Sequence, residues 1–296
     1  MKKIGFWFCK VYAYWNANLP FPLLYLKSSM LSFVLYHLIR YRRKVVRENL
    51  TNSFPEKSTQ EIKQIERRFY RNFCDIFVEM CKLLKESTDD LKQRVSFSNA
   101  ALFNELYGKG KNVLLVLPHS SNWEWFWKLT TTLTPHRCAA LYKPMKNPYF
   151  NDLVHHIRTR GIEGEDPMIE DRTLLSVLEQ RKDTCNLLLF LGDQSPRGKE
   201  SDYWTDFLHR ETCWYTGIER VAKNFDYAVV YGEMVREGRG RYVVNFKLLV
   251  EDPVPTEEGF VLKQYVSEVE RFITRYPDNW LWSHRRWKHS RQKLNQ

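Results

Sequence analysis

The sequence predicts an α/β fold: a mixed sheet flanked by helices, entered through an N-terminal membrane-associated helical segment. Three observations lead there. From about residue 110, short apolar runs alternate with helical periodicities. Three of those runs, at 113–117, 137–142 and 186–191, end in polar punctuation. The first 39 residues are rich in aromatic and aliphatic side chains, and a basic cluster follows them.

Composition narrows the classes. A chain of 296 residues, 43% hydrophobic, is long enough to bury a core in one large domain or two small ones. The net charge of +11 calls for an anionic partner: nucleic acid, anionic lipid, a phosphorylated substrate or an acidic protein. The 10 Trp and 16 Tyr favour places with one apolar and one wet side, membrane interfaces among them. The six cysteines show neither a CxxC pair nor zinc spacing, and read as reduced thiols packed inside a cytoplasmic domain.

Residues 1–18 carry Phe6, Trp7, Phe8, Tyr12, Tyr14 and Trp15, without the cleavage site of a signal peptide. Residues 19–39 are apolar but interrupted by Pro20, Pro22 and Lys27, which suits either a single span or an interfacial helix. Arg40, Arg42, Arg43, Lys44 and Arg47 then suit the anionic cytoplasmic face of a membrane. The expected division is a membrane-associated segment at 1–47 and an α/β domain at 48–296, with a helical lead-in at 48–100. Residues 44–86 read as helix, broken at 52–56 and reopened by Ser58 or Thr59 with Glu61 following. In the second helix Ile62, Ile65, Phe69, Phe73, Ile76, Phe77 and Met80 share one apolar face.

The run 113–117 reads as a buried strand stopped by Pro118, with His119 at its exit. Ser121 is the expected cap of the next helix, and Glu124 stands three residues on. Strand 137–142 ends at Lys143-Pro144, and Asn147-Pro148 opens a helix that closes near Arg160-Gly161. A helix at 169–181 precedes strand 186–191, which ends at Asp193-Gln194. Residues 213–224 read as helix, 227–235 and 241–250 as a hairpin, and 259–275 as the last helix. In open α/β sheets ligands sit at the carboxyl ends of strands, so His119, Lys143 and Asp193 are expected on one rim.

His119 and Glu124 carry the chemistry. An unperturbed histidine titrates near 6.5 and can take a proton at neutral pH, and a carboxylate can orient its ring. With 8 His and 35 acidic residues, roughly one such spacing arises by chance. On residues alone a catalytic pair and a capping box beside a loop histidine stand level. Ser120 or Ser121 as a hydrolase nucleophile lacks a G-x-S-x-G elbow. A nucleic-acid binding protein fits the charge, but no RNP, KH or zinc pattern supports it.

A wider pattern decides between them. The chain resembles the bacterial lipid A late acyltransferases, of the glycerolipid acyltransferase type with an H-x4-[DE] centre. The resemblance rests on Arg42-Arg43-Lys44-Val45-Val46-Arg47-Glu48-Asn49-Leu50, Phe54-Pro55, and Pro118-His119 with Asn122-Trp123-Glu124. It continues through Tyr142-Lys143-Pro144, Asn147-Pro148, Arg160-Gly161, Asp193-Gln194 and Trp282-Ser283-His284-Arg285-Arg286-Trp287-Lys288. It implies an O-acyltransferase on the cytoplasmic face of a bacterial inner membrane, with acyl carrier protein as donor, a lipid A precursor as acceptor, and no metal or redox cofactor. His119 would be the base and Glu124 its orienting partner. An aminolipid or lysophospholipid acceptor is the alternative. Lys143, where the family commonly has arginine, would bind a phosphate or sugar acid of the acceptor, or is a solvated loop lysine. Arg160 would pair an acceptor phosphate, or simply closes its helix. Asp193 and Gln194 would place Lys143 or the acceptor, or form a turn. The 285–288 cluster meets carrier protein or head groups, or is a solvated tail. Ser121 stands where many relatives have glycine.

Overall fold

The computed structural model describes residues 2–196 and 203–289. At the centre lies a seven-stranded sheet. Its strands are β1 (Val95–Ser98), β2 (Asn112–Leu117), β3 (Arg137–Tyr142), β4 (Met168–Glu170), β5 (Asn186–Leu191), β8 (Tyr227–Gly238) and β9 (Arg241–Val250), in the order β1-β9-β8-β2-β5-β3-β4. Every pairing is parallel except β8 with β9, so the sheet is mixed. A separate antiparallel hairpin joins β6 (Tyr203–Phe207) to β7 (Arg210–Trp214).

Strand period two divides the core into two layers. On β2, Leu114 and Val116 join one cluster, with α3 (Arg43–Ser53), the first part of α4 (Thr59–Lys82), α10 (Gly217–Asn224) and α11 (Phe260–Arg275). Val113, Leu115 and Leu117 join the other, with α6 (Ala101–Gly108), α7 (Trp123–Thr130) and α8 (Pro148–Thr159). Both faces of β2 are covered, which is why its sequence is continuously apolar rather than alternating.

Several elements differ from the expectation. Strand β1 was not anticipated: it is an edge strand with only Val95 buried, too short and polar to show a pattern. The expected helix 169–181 begins instead as β4 and turns helical only over α9 (Leu174–Gln180). The expected helix 213–224 begins inside β7, and α10 starts at Gly217. The Ser58 cap holds: its hydroxyl accepts from the Glu61 amide, and the Glu61 carboxylate accepts from the Ser58 amide at 2.8 Å.

The N-terminal helices α1 (Lys2–Asn18) and α2 (Phe21–Phe33) pack on α4 and leave much of their apolar surface open. Phe8, Trp15, Leu26, Met30 and Phe33 are each more than half exposed, and Phe77 of α4 is exposed with them. α2 runs into a π-helical turn, Val34–Leu38, before α3. Among the described residues no single helix is long and apolar enough to cross a membrane, though Phe21–Leu38 and Arg43–Ser53, bent by 87°, together have the length and composition. The basic cluster is partly consumed inside the fold: Arg43 and Arg47 pair with buried Glu66, and Arg42 donates to the Ser283 carbonyl.

Two buried carboxylates of α4 tie these helices to the body. Asp75 accepts from Ser28 of α2 and pairs with Arg236 and Arg239 of the β8–β9 hairpin. Glu79 accepts from Tyr25 of α2 at 2.9 Å, from Tyr242 of β9 at 2.6 Å and from the Asn122 amide at 2.8 Å. Burial pushes the Glu79 carboxyl upward, against its hydroxyl donors and Arg236.

Candidate active site

Sheet register builds the site. Leu117 at the end of β2 pairs with Leu191 at the end of β5, so the residues two steps beyond, His119 and Asp193, emerge side by side. His119 Nδ1 lies 2.6 Å from Asp193 Oδ1, and the His119 amide donates to Oδ2 at 2.9 Å. Trp280 Nε1 donates to the same Oδ2 at 2.6 Å. An ionised carboxylate only accepts, so Nδ1 carries the hydrogen and Nε2 keeps its lone pair. The Gln194 amide nitrogen lies 3.3 Å from that Nε2. Burial alone would raise the Asp193 carboxyl, but the His119 ring and the surrounding N–H donors outweigh it and hold the group below the usual carboxylate range. Gly192 leaves room between β5 and Asp193 for Ile218, whose Cδ1 would have to shift to admit a Cβ there, at 2.4 Å.

Ser121 does not cap α7. It sits at φ +50°, a left-handed conformation that strains a side-chain-bearing residue and explains why glycine suits this position. Its hydroxyl donates to the Met234 carbonyl at 2.7 Å and its amide to the Asn279 carbonyl at 2.9 Å, which hold the turn. The cap is Asn122, whose Oδ1 accepts from the Trp125 amide at 3.0 Å. The C-terminal loop closes over this turn, with the Leu281 amide donating to the His119 carbonyl.

Glu124 makes neither a hydrogen bond nor an ion pair with His119 among the described residues. Its two oxygens accept from Arg158 of α8 at 2.6 and 2.8 Å, and Oε1 also accepts from Trp123 Nε1 at 3.0 Å. The expected contact is thus replaced for a physical reason: α8 draws Glu124 away, and β5 delivers Asp193 to the ring instead.

His119, Glu124, Lys143, Arg158 and Gln194 line one cavity of about 310 Å³. Trp127, Ala140, Leu141, Leu189 and Leu191 give it an apolar wall. Lys143 stands exposed at its rim. Arg160 does not line it; its guanidinium donates to the Leu83 carbonyl at 3.3 Å, and its own carbonyl accepts from Lys128. The arginine at the cavity is Arg158, which the sequence reading passed over. Its signal was present: Asn151, Val154, His155 and Arg158 share one face of α8 and line an adjoining hollow with Tyr142 and Lys143.

The C-terminal cluster divides. Arg285 and Lys288 are exposed, but Arg286 is 1% exposed, lies over the Trp214 ring and donates to the Cys213 carbonyl at 2.7 Å. Burial pushes the Arg286 guanidinium down to about 10. Its charge faces the interior, so it belongs neither to a solvated tail nor to a docking patch.

The sequence model of the family described as bacterial lipid A biosynthesis acyltransferase matches residues 1–289. The chain belongs to this family. Among curated relatives, the lipid A biosynthesis palmitoleoyltransferase of Escherichia coli (strain K12) is 23% identical over 274 residues, 92% of this chain and 87% of that protein. A lipid A biosynthesis acyltransferase of Haemophilus influenzae (strain ATCC 51907 / DSM 11121 / KW20 / Rd) is 21% identical over 287 residues, 94% of this chain and 86% of that one. The protein is an acyltransferase.

One more histidine of this acyltransferase lies close to the site. His284 Nε2 accepts from the Ser195 amide at 3.0 Å, two residues beyond Asp193. Burial, opposed by the Asp193 charge, lowers its pKa to about 4. Between that value and the free value near 6.5, the unfolded chain binds the extra proton. Stability from this residue is therefore complete above pH 6.5 and is lost as pH falls toward 4, by on the order of 3 kcal/mol. Urea midpoints measured from pH 7.5 to pH 4 should fall more steeply for the native chain than for His284→Gln, which keeps an acceptor without a titration. Parallel curves would remove His284 from the acid response.

Proposed function

We propose that this acyltransferase moves a fatty acyl chain from an acyl carrier protein thioester to a hydroxyl of a lipid A precursor, at the cytoplasmic face of a bacterial inner membrane. Residues 1–47 seat it on the membrane and 48–296 carry the chemistry. The observation that carries the reading is the His119–Asp193 contact at a cavity with an apolar wall, whose charged lining is Lys143, Asp171 and the Arg158–Glu124 pair.

In this mechanism His119 Nε2 takes the proton from the acceptor hydroxyl as its oxygen bonds to the thioester carbonyl carbon. Asp193 fixes the tautomer and balances the imidazolium. The tetrahedral centre collapses by breaking the C–S bond, and His119 returns the proton to the departing thiolate. Glu124 acts through Arg158, holding its guanidinium at the cavity wall. Lys143 and Arg158 meet the anionic groups of the acceptor, Lys143 as a point charge and Arg158 as a planar fork. Gln194 borders the base. Arg160 has a structural part at the end of α8.

The test is acyl transfer from carrier-protein thioesters to a panel of acceptors: a lipid A precursor, a lysophospholipid, an aminolipid and water. The precursor should be acylated fastest, and His119→Ala should abolish transfer at normal expression. Faster acylation of a lysophospholipid or aminolipid would change the acceptor. Thioester hydrolysis unaffected by any lipid would overturn acyl transfer to lipid.

A further inference from the structure

A second cavity, of about 230 Å³, opens between the end of α2 with its π-helical turn and the flank of α4. It shares no residue with the cavity at His119. Arg67 and Arg71 line it, one helical turn apart, together with His37, Ser29 and Ser32. No carboxylate lines it, and among the described residues neither arginine makes a hydrogen bond or an ion pair. Both are exposed. With Lys63 they form a row of like charges at four-residue steps, an arrangement that destabilises a helix unless something offsets the repulsion.

The stretch of chain from α2 into the π-helical turn leaves apolar side chains exposed. Phe33 lines the cavity and is 57% exposed, and Met30, Leu38 and Ile39 nearby are exposed to a similar degree. The backbone departs from α geometry here: the Ile39 amide donates five residues back to Val34, and Arg40 and Arg42 take positive φ. Single π turns inside helices recur at functional sites. The turn places His37 against Phe33, with ring centroids 4.7 Å apart. Two unpaired guanidinium groups, a histidine and the Ser32 hydroxyl beside the exposed ring of Phe33 match a phosphodiester whose acyl chains continue into a bilayer.

We infer that this cavity binds the phosphate headgroup of an anionic membrane phospholipid, separately from the acyl acceptor. The inference rests on the membrane placement proposed above. It adds an anion contact outside the expected cluster at 40–47, of which Arg42, Arg43 and Arg47 hold partners within the fold. The cavity is a specific fork-lined site rather than diffuse charge.

Flotation of the full chain with three kinds of vesicle tests this: phosphatidylcholine alone, phosphatidylcholine with phosphatidylglycerol, and phosphatidylcholine with oleate at matched surface charge. The native chain should bind the phosphatidylglycerol vesicles about tenfold more tightly than the oleate ones. Arg67→Lys/Arg71→Lys keeps the charge and loses the planar forks, so it should lose that margin. Arg67→Gln/Arg71→Gln should lose the margin and part of the general attraction, while neutral-vesicle binding stays unchanged and the melting temperature does not fall, relief of the like-charge row raising it if anything. Equal affinity of the native chain for both anionic vesicles, or a margin that survives in either variant, would overturn the site and leave membrane placement intact. Inorganic phosphate that abolishes the margin at millimolar concentration would make this a free-anion site and overturn the lipid assignment. Binding to no vesicle at all would overturn the membrane placement, and the site with it.

Discussion

Asp193→Asn is expected to lower acyl transfer by about four orders of magnitude with little change in fold. The carboxylate holds the Nδ1–H of His119, and its negative charge is what an imidazolium needs in the transition state. An asparagine can turn its amide toward Nδ1, which moves the ring hydrogen to Nε2 and removes the lone pair that takes the hydroxyl proton. The comparable substitution in a Ser-His-Asp triad costs about 10⁴ in kcat by this tautomer error. Asparagine still offers an oxygen to the His119 amide and to Trp280 Nε1, so the turn has acceptors left. Single-turnover transfer and a thermal melt measured together separate the two effects. A variant that keeps transfer within tenfold of native would mean that another group orients His119, and Glu124 would return as the candidate.

Glu124→Gln is expected to cost about 10²-fold in transfer, and the loss should be shared with Arg158. The pair is bidentate, and Glu124 is 4% exposed, so the charge left behind on Arg158 loses its fixed position. Misplacement of a positioning group by about 1 Å is enough for a loss of that size. Arg158→Gln alone should cost a similar factor, and the double variant little more than either single one. A double-mutant cycle should therefore give a coupling within the 0.5–3 kcal/mol expected of directly contacting residues. Additive losses would show that Glu124 acts on His119 without Arg158.

Local pattern was enough to find the strand-proline-histidine turn, because a strand buried on both faces is continuously apolar and stops visibly at Pro118. The shared rim of His119, Lys143 and Asp193 was also legible, since parallel strands deliver their carboxyl ends to one edge. Pairing across that rim was not. Which carboxylate meets His119 depends on the register between β2 and β5, about 70 residues apart in sequence, and on Arg158 competing for Glu124. Arg158 was passed over similarly, because a helix end beside glycine, as at Arg160, is conspicuous and a helix face is not. Ser121 and Asn122 are both good caps by type, and the positive φ at Ser121 decided between them. The hairpin β6–β7 stayed hidden because Glu211, Asp206 and Arg210 break any apolar alternation.

The Glu79 cluster constrains how this enzyme can be re-engineered. Trimming a greasy amino terminus is the usual route to a soluble, crystallisable protein. Here a cut at residue 39 would take away Tyr25 and Ser28, stranding Glu79 and Asp75 without those donors. Glu79 also braces Asn122, which opens the helix beginning four residues after His119. Truncation would therefore loosen the turn at His119 along with the proposed membrane contact, and lost activity would say nothing about lipid. Repainting the outward faces of Phe8, Trp15, Leu26 and Met30 with polar side chains leaves both carboxylates braced, and is the route by which solubility and catalysis can be separated.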